Sequence, residues 1–127
     1  MTVRRPLGKV LKGFWRKKLP KTEYEKSTSL VTVIIPTLNE EKLIAQVLSN
    51  IRAVLPCSKV IISDGWSKDK TIAISRKYAD IVLSRRGDTI GIARNCAARL
   101  VKTKYILFVD SDTFPTKEFV QATLESF

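Results

Sequence analysis

The stretch Tyr105-Ile106-Leu107-Phe108-Val109-Asp110-Ser111-Asp112 decides how this chain is read. A continuous apolar run, rich in aromatic and β-branched residues, ends abruptly in two carboxylates. Such a run predicts a β-strand buried on both faces, and strands of that kind belong to parallel sheets covered by helices. Ligands of these sheets bind just beyond the carboxyl ends of the strands. Asp110 and Asp112 stand there, one residue apart. Two oxygen donors at that spacing can converge on a hard cation that also holds substrate phosphates. Asp-Ser-Asp is equally ordinary turn chemistry, because both residue types bond to nearby backbone. The rest of the chain has to choose between the two readings.

Working back from this run, the pattern of apolar strand followed by polar loop recurs. Leu30 to Ile35 predicts a first strand stopped by Pro36. Asn39 is expected to cap the next helix, with Glu40 and Glu41 at its positive end. Leu43, Ile44, Val47, Leu48 and Ile51 form that helix's apolar stripe. Lys59 to Ile62 predicts a second strand running into Ser63-Asp64-Gly65-Trp66-Ser67. Ile72, Ala73 and Tyr78 mark a second helix, and Ile81 to Leu83 a third strand. Asp88 is expected to cap a helix reaching Val101, with Ile92, Ala93, Cys96, Ala97 and Leu100 facing inward.

Beyond the two carboxylates, Thr116 predicts the cap of a last helix whose Phe119, Val120, Leu124 and Phe127 share a face. The chain stops inside that pattern, so the sequence looks cut rather than finished. Strands alternating with helices give βαβ units, hence a three-layer α/β domain with a mostly parallel sheet over residues 30–127.

The 127 residues bound the chain to one domain. The formal net charge of +11 concentrates before Ser27, in Arg4, Arg5, Lys9, Lys12, Arg16, Lys17, Lys18, Lys21 and Lys26, against only Glu23 and Glu25. Residues 1–29 therefore read as a basic tail that favours anionic partners. Leu7, Val10, Leu11, Phe14 and Trp15 recur within it at helical spacing. Two readings stay open: a short helix lying on an anionic membrane surface, or a tail whose apolar residues dock on the domain. Gly8 and Gly13 each weaken the helix by about 1 kcal/mol. The expected location is cytoplasmic, with peripheral contact at the cytoplasmic face of the membrane if the helix forms.

The chain has no histidine, and its two cysteines, Cys57 and Cys96, lack a CxxC neighbour. A zinc site and a Cys-His nucleophile pair are excluded on that ground. No apolar run approaches the roughly 20 residues that cross a bilayer.

Three polar loops follow strand ends: Pro36-Thr37-Leu38-Asn39-Glu40, Ser63 to Ser67, and Asp110-Ser111-Asp112. A parallel sheet puts all three on one rim, and Gly91-Ile92-Ala93-Arg94-Asn95 brings an arginine into the first turns of a helix near it. A carboxylate such as Asp64 can accept from a base N–H, Asp110 from ribose hydroxyls, and Asp112 can hold a divalent cation against two phosphates. Arg94 can add positive charge where a diphosphate leaves.

These motifs resemble, in order, those of the family 2 glycosyltransferases of the GT-A fold. Val31-Thr32-Val33-Ile34-Ile35-Pro36-Thr37-Leu38-Asn39-Glu40-Glu41 is similar to that family's opening strand and loop. Ser63 to Thr71 resembles its Asp-Gly-Gly-Ser-x-Asp-Gly-Thr loop, Gly91 to Asn95 its Ala-Arg-Asn helix, and Asp110-Ser111-Asp112 its DxD motif. The resemblance runs from about Val31 to Phe119 and implies the Rossmann-like nucleotide-sugar-binding half of such an enzyme.

It implies a UDP-, GDP- or dTDP-sugar donor, Mg²⁺ or Mn²⁺, and an acceptor that is a glycan, a lipid-linked molecule or a protein. Pro36, Thr37, Glu40 and Asp64 would line the base pocket. Asp110 and Ser111 would meet ribose and phosphates, with Asp110 and Asp112 toward the metal. The first and fourth strands would be neighbours. Trp66 and Ala97 stand where the family has glycines, and Ser63 where many members have a second acid. The family's acceptor half and catalytic base come after the DxD strand, so no general base is assigned, and the chain alone is expected to bind a donor more readily than to transfer it.

Three rivals fare worse. A nicotinamide-binding domain needs GxGxxG after the first strand, and Pro36 to Glu40 contains no glycine. A DxD phosphohydrolase of the haloacid dehalogenase type would use Asp110 as nucleophile and Asp112 as acid/base, but that motif normally opens the sheet, and Phe114 stands where Thr or Val belongs. A nucleic-acid-binding module would interleave its basic residues with stacking aromatics on a sheet, whereas here they crowd one tail.

Overall fold

The computed structural model describes residues 8–13, 18–87 and 89–127. Its elements in chain order are β1 (Lys9–Lys12), α1 (Glu23–Thr28), β2 (Val31–Thr37), α2 (Ile44–Val54), β3 (Lys59–Asp64), α3 (Thr71–Tyr78), β4 (Ile81–Ser84), α4 (Ile90–Ala98), β5 (Tyr105–Phe108) and α5 (Lys117–Glu125). The strands form one sheet in the order β1-β4-β3-β2-β5. Every pairing is parallel except that of β1 with β4.

The sheet is covered on both faces because its central strands are apolar at successive positions. In β2, Val33 and Ile35 turn toward one layer, with Val47, Leu48 and Ile51 of α2 and Val120 of α5. Ile34 turns to the other, with Ile61 of β3 and Ala97 of α4. This is the strand alternation expected of a buried parallel sheet.

β2 lies between β3 and β5, so the expected adjacency of the first and fourth parallel strands is present. The chain runs from β2 outward to β3 and β4, then returns to the opposite side of β2 as β5. That reversal makes the gap between β2 and β5 a topological switch point. β2 continues along β3 as far as Thr37, whereas its pairing with β5 ends at Ile34 and Phe108, followed by one more bond from Val109 N–H to the Ile34 carbonyl. Pro36 has no N–H to donate and lies beyond β5's reach, so the two chains part there and a cleft opens.

Three expectations are corrected. β5 is an edge strand with one open face: Ile106 and Phe108 are 40% and 46% exposed, since α4 packs over β2 and β3 instead. A continuous apolar run does not distinguish this from burial on both sides.

The helical spacing of Val10 and Leu11 does not produce a helix; both lie in β1, paired with Leu83 and Val82. Leu7, Phe14 and Trp15 lie outside the described residues. The glycines that argued against the helix have a positive role in the strand. A side chain at Gly13 would sit 1.5 Å from the Ala79 carbonyl oxygen, and Gly8 has φ +83°. β1 is docked through two positions that only glycine fits.

Asn39 does not cap α2, which begins five residues later behind Leu43 and without a side-chain cap. Instead Asn39 takes φ +51° and its Oδ1 accepts from Lys68 N–H, tying the first polar loop to the second. Thr116 does cap α5, accepting from Phe119 N–H. Asp88 lies outside the described residues, and Thr89 caps α4 by accepting from Ile92 N–H. That helix ends at Ala98, not Val101.

Candidate functional site: a cleft at the switch point

The cleft between the ends of β2 and β5 has a volume of about 510 Å³. Its walls come from four places in the chain. Pro36, Thr37, Leu38 and Glu40 follow β2, Ser63 and Gly65 end β3, Thr89, Ile90, Ala93 and Arg94 open α4, and Asp110, Ser111 and Asp112 follow β5. Six of the seven residues assigned from sequence to the nucleotide sugar line it, and so does the second proposed metal ligand, Asp112. The exception is Asp64.

Asp64 is 1% exposed and lies under the cleft floor. Register explains its partners. Thr37, Asp64 and Ser84 are aligned across three adjacent strands, which brings both hydroxyls onto one carboxylate. Thr37 Oγ1 donates to Oδ1 at 2.7 Å, and Ser84 Oγ reaches Oδ2 at 3.5 Å. Ser67 donates twice, from Oγ to Oδ1 at 2.5 Å and from N–H to Oδ2 at 2.7 Å. Of the roughly four acceptor sites a carboxylate offers, three take short bonds from the protein itself, and the Ser84 hydroxyl stands at a longer distance from the group. Ser63 is buried as well; its hydroxyl donates to the Ala93 carbonyl and fixes α4 to β3.

The opposite wall is open chemistry. Asp110 and Asp112 are both exposed. Arg94 Nη2 donates to Asp110 Oδ1 at 2.9 Å, and its guanidinium lies 5.6 Å from the Phe108 ring centroid. Arg94 Nε is buried without a hydrogen-bond partner. Ser111 Oγ donates to Glu40 Oε1 at 2.9 Å, linking the β2 and β5 loops across the cleft. Among the described residues Asp112 has only a distant contact from Thr113 Oγ1, at 3.5 Å, which leaves its carboxylate open to solvent.

Among the described residues no cluster of three or more carboxylate, cysteine or histidine side chains could cage a metal. Two carboxylates on one cleft wall fit Mg²⁺ or Mn²⁺, which keep water and substrate phosphates in their shell rather than an all-protein cage.

The second polar loop is itself anchored on the first. Asp69 accepts from Thr71 N–H and from Glu41 N–H. Burial pushes the Asp69 carboxyl up, but these bonds and that from the Thr71 hydroxyl outweigh it and hold the group below its ordinary value. Trp66 takes φ +75° and leaves its indole 48% exposed beside the cleft.

Sequence reasoning did not assign Thr89, Ile90, Ala93, Leu38, Ser63 or Gly65 to the site. Thr89 carried a legible signal, a capping residue ahead of an apolar helix. Ile90, Ala93, Leu38 and Gly65 contribute backbone and apolar surface, for which short motifs have no mark.

The profile of glycosyl transferase family 2 matches residues 32–127. The chain belongs to that family. The match removes the phosphohydrolase rival, whose aspartate pair would open the sheet rather than close the last strand. The chain is 34% identical over 105 residues to 4,4'-diaponeurosporenoate glycosyltransferase of Staphylococcus aureus, covering 76% of this chain and 28% of that protein. It is 32% identical over 96 residues to the poly(ribitol-phosphate) beta-N-acetylglucosaminyltransferase TarS of the same organism, covering 68% of this chain and 17% of TarS.

Among solved structures, the mannosyltransferase PcManGT of Pyrobaculum calidifontis, in complex with GDP-Man and Mn²⁺, superposes with a TM-score of 0.60 at 27% identity, over 69% of this chain and 29% of that one. Glucosyl-3-phosphoglycerate synthase of Mycobacterium tuberculosis, in complex with Mn²⁺, UDP and glucosyl-3-phosphoglycerate, does so with a TM-score of 0.62 at 26% identity, over 87% and 45%. The fold is that of the GT-A glycosyltransferases. The chain spans about a quarter or less of the length of these curated relatives.

Proposed function

We propose that this chain is the donor-binding half of a nucleotide-sugar-dependent glycosyltransferase. The observation that carries the proposal is a single cleft at the switch point, to which three loops and one helix N-terminus contribute. The base lies against Pro36, Thr37, Leu38 and Gly65. Buried and bonded by Thr37 and Ser67, Asp64 holds this pocket's walls in place. The ribose meets Asp110 and Ser111, with Glu40 fixing the serine. Asp110 and Asp112 would hold Mg²⁺ or Mn²⁺, which supplies Lewis-acid stabilisation of the departing diphosphate. Arg94 and the positive end of α4 add to that stabilisation. Both structural neighbours carry Mn²⁺ with a guanosine or uridine nucleotide, which supports a divalent ion here without choosing the base. No residue of this chain is assigned as the base that deprotonates the acceptor.

Isothermal titration with UDP-, GDP- and dTDP-sugars, with and without Mn²⁺, tests the assignment. One donor is expected to bind only with metal, and Asp112→Ala to lose that binding. Binding of equal strength without metal, or no binding to any nucleotide, would overturn it.

The basic N-terminus adds a proposal of peripheral contact with an anionic membrane face. Lys9 and Lys12 are exposed on β1, and no helix among the described residues is long and apolar enough to cross a membrane. Their bland role is to protect a sheet edge from pairing. Co-sedimentation with anionic vesicles separates the two: a chain lacking residues 1–20 that pellets as well as the full chain removes the membrane contact.

A further inference from the structure

We propose that Arg94 is a positioning residue that makes metal and nucleotide bind as a unit. The inference rests on the donor-site reading above and deepens it. The Arg94 guanidinium occupies Asp110, one of the two carboxylates offered to the cation, with Nη2 2.9 Å from Oδ1. The Phe108 ring lies 5.6 Å from the guanidinium and backs it. A divalent ion approaching Asp110 therefore meets a positive charge already bonded to its ligand, whereas Asp112 has no ion pair among the described residues.

The same guanidinium is not fully satisfied where it stands. Nε is buried and has no hydrogen-bond partner, and a buried donor without an acceptor is costly. A diphosphate entering between Arg94 and Asp112 offers oxygens to Nε and to the other guanidinium nitrogens in the forked geometry that arginine favours. Moving Arg94 from the carboxylate to the phosphates satisfies Nε, releases Asp110, and places negative charge between the guanidinium and the metal. Each ligand thus removes the obstacle to the other, and the coupling is reciprocal.

The test reads binding, not turnover. Mn²⁺ affinity is measured from the free-Mn²⁺ electron paramagnetic resonance signal, without and with saturating UDP or GDP, for the wild type, Arg94→Gln and Arg94→Lys. In the wild type, nucleotide is expected to tighten Mn²⁺ by at least roughly tenfold, the order set by one unit charge beside a divalent ion in partly solvated surroundings. Arg94→Gln is expected to bind Mn²⁺ several-fold more tightly than wild type without nucleotide, and to lose most of the enhancement by nucleotide. Arg94→Lys, which keeps the charge without the fork, should fall between. If Arg94→Gln binds nucleotide-free Mn²⁺ no better than wild type while both still bind Mn²⁺ with nucleotide, the coupling role fails and the donor site stands. If the wild type binds neither Mn²⁺ nor nucleotide, the donor-site reading fails and takes this inference with it.

Discussion

β3 and β5 flank the same strand, run parallel, and each leads to an aspartate at the same rim of the sheet, Asp64 at the end of β3 and Asp110 just past β5. Their carboxylates do opposite work. Asp64 is buried beneath the cleft, with short bonds from Thr37 and Ser67 and a longer contact from Ser84. Asp110 and Asp112 face the cleft, one held by a single exposed ion pair and the other almost unbonded. The difference lies in what stands beside each strand. β3 is central, so neighbours on both sides supply hydroxyls in register. β5 is an edge, with β2 on one side and no described strand on the other. An aspartate inside the sheet is reached by hydroxyls from its neighbours, and one at the open edge stays exposed with few bonds.

Removing Asp64 probes the closed side and carries the largest expected effect. Asp64→Ala leaves three hydroxyls, of Thr37, Ser67 and Ser84, and the Ser67 N–H without this acceptor, at a cost of about 3–4 kcal/mol. Urea unfolding would show it as a lower midpoint, with no separate loss of nucleotide affinity in the fraction that remains folded. A variant that keeps wild-type stability and loses only nucleotide binding would return Asp64 to the ligand.

Asp112→Ala probes the open side and should give the reverse pattern. Stability changes by less than about 0.5 kcal/mol, the usual range for a surface substitution. Mn²⁺-dependent nucleotide binding falls by about 100-fold or more, equivalent to roughly 2.7 kcal/mol. Equal losses of stability for the two aspartates would erase the contrast between them.

Trp66 lies on the loop that leaves the closed side, and it sharpens the comparison at smaller scale. Its φ of +75° is a backbone region that bulky residues rarely adopt. The family resemblance places a glycine there, and the geometry explains why. Trp66→Gly is expected to raise stability by about 0.5–1 kcal/mol, the relief of strain less the added freedom of the unfolded chain. A destabilised variant would mean that the half-exposed indole makes packing contacts worth more than the strain.

Much of this was legible from the residues. Alternating apolar runs and breakers gave the strands, the helices and the parallel order, because period and turn chemistry are local properties. Seven cleft residues were legible, because three strand-end loops must share a rim in a parallel sheet and the helix start with Arg94 lies near it. What stayed hidden depended on neighbours far away in the chain. That Asp64 is buried and bonded by Thr37 is not legible until Thr37 and Ser84 are seen alongside it in register. Ile106 and Phe108 look buried until the sheet order makes β5 an edge. Val10 and Leu11 fit a helix by spacing alone, and only the close approach of Gly13 to Ala79 shows why a strand forms instead.

Asp69 stands between the two extremes, and pH tests where it belongs. It is bonded as Asp64 is, by Thr71 and the Glu41 N–H, yet it is partly exposed, unlike the sealed aspartate. Burial raises its carboxyl, the hydrogen bonds lower it further, and the net value lies below the ordinary 3.8. A carboxyl depressed in the folded state stabilises the fold when ionised. That contribution is complete above the unfolded value and is lost as pH falls below it, through the folded value. Urea unfolding of the wild type and Asp69→Asn across about pH 6 to 2.5 should therefore show a stability gap that is widest near pH 6 and narrows below about pH 4. The effect is the smallest considered, because solvent screens a partly exposed group. A gap that stays constant with pH would mean that a neutral amide in place of the carboxylate serves the loop equally well whatever the state of the acid. Asp69 would then join the two polar loops through hydrogen-bond geometry alone, as Asn39 does from the other side, and charge would matter to this rim only where the sheet is open.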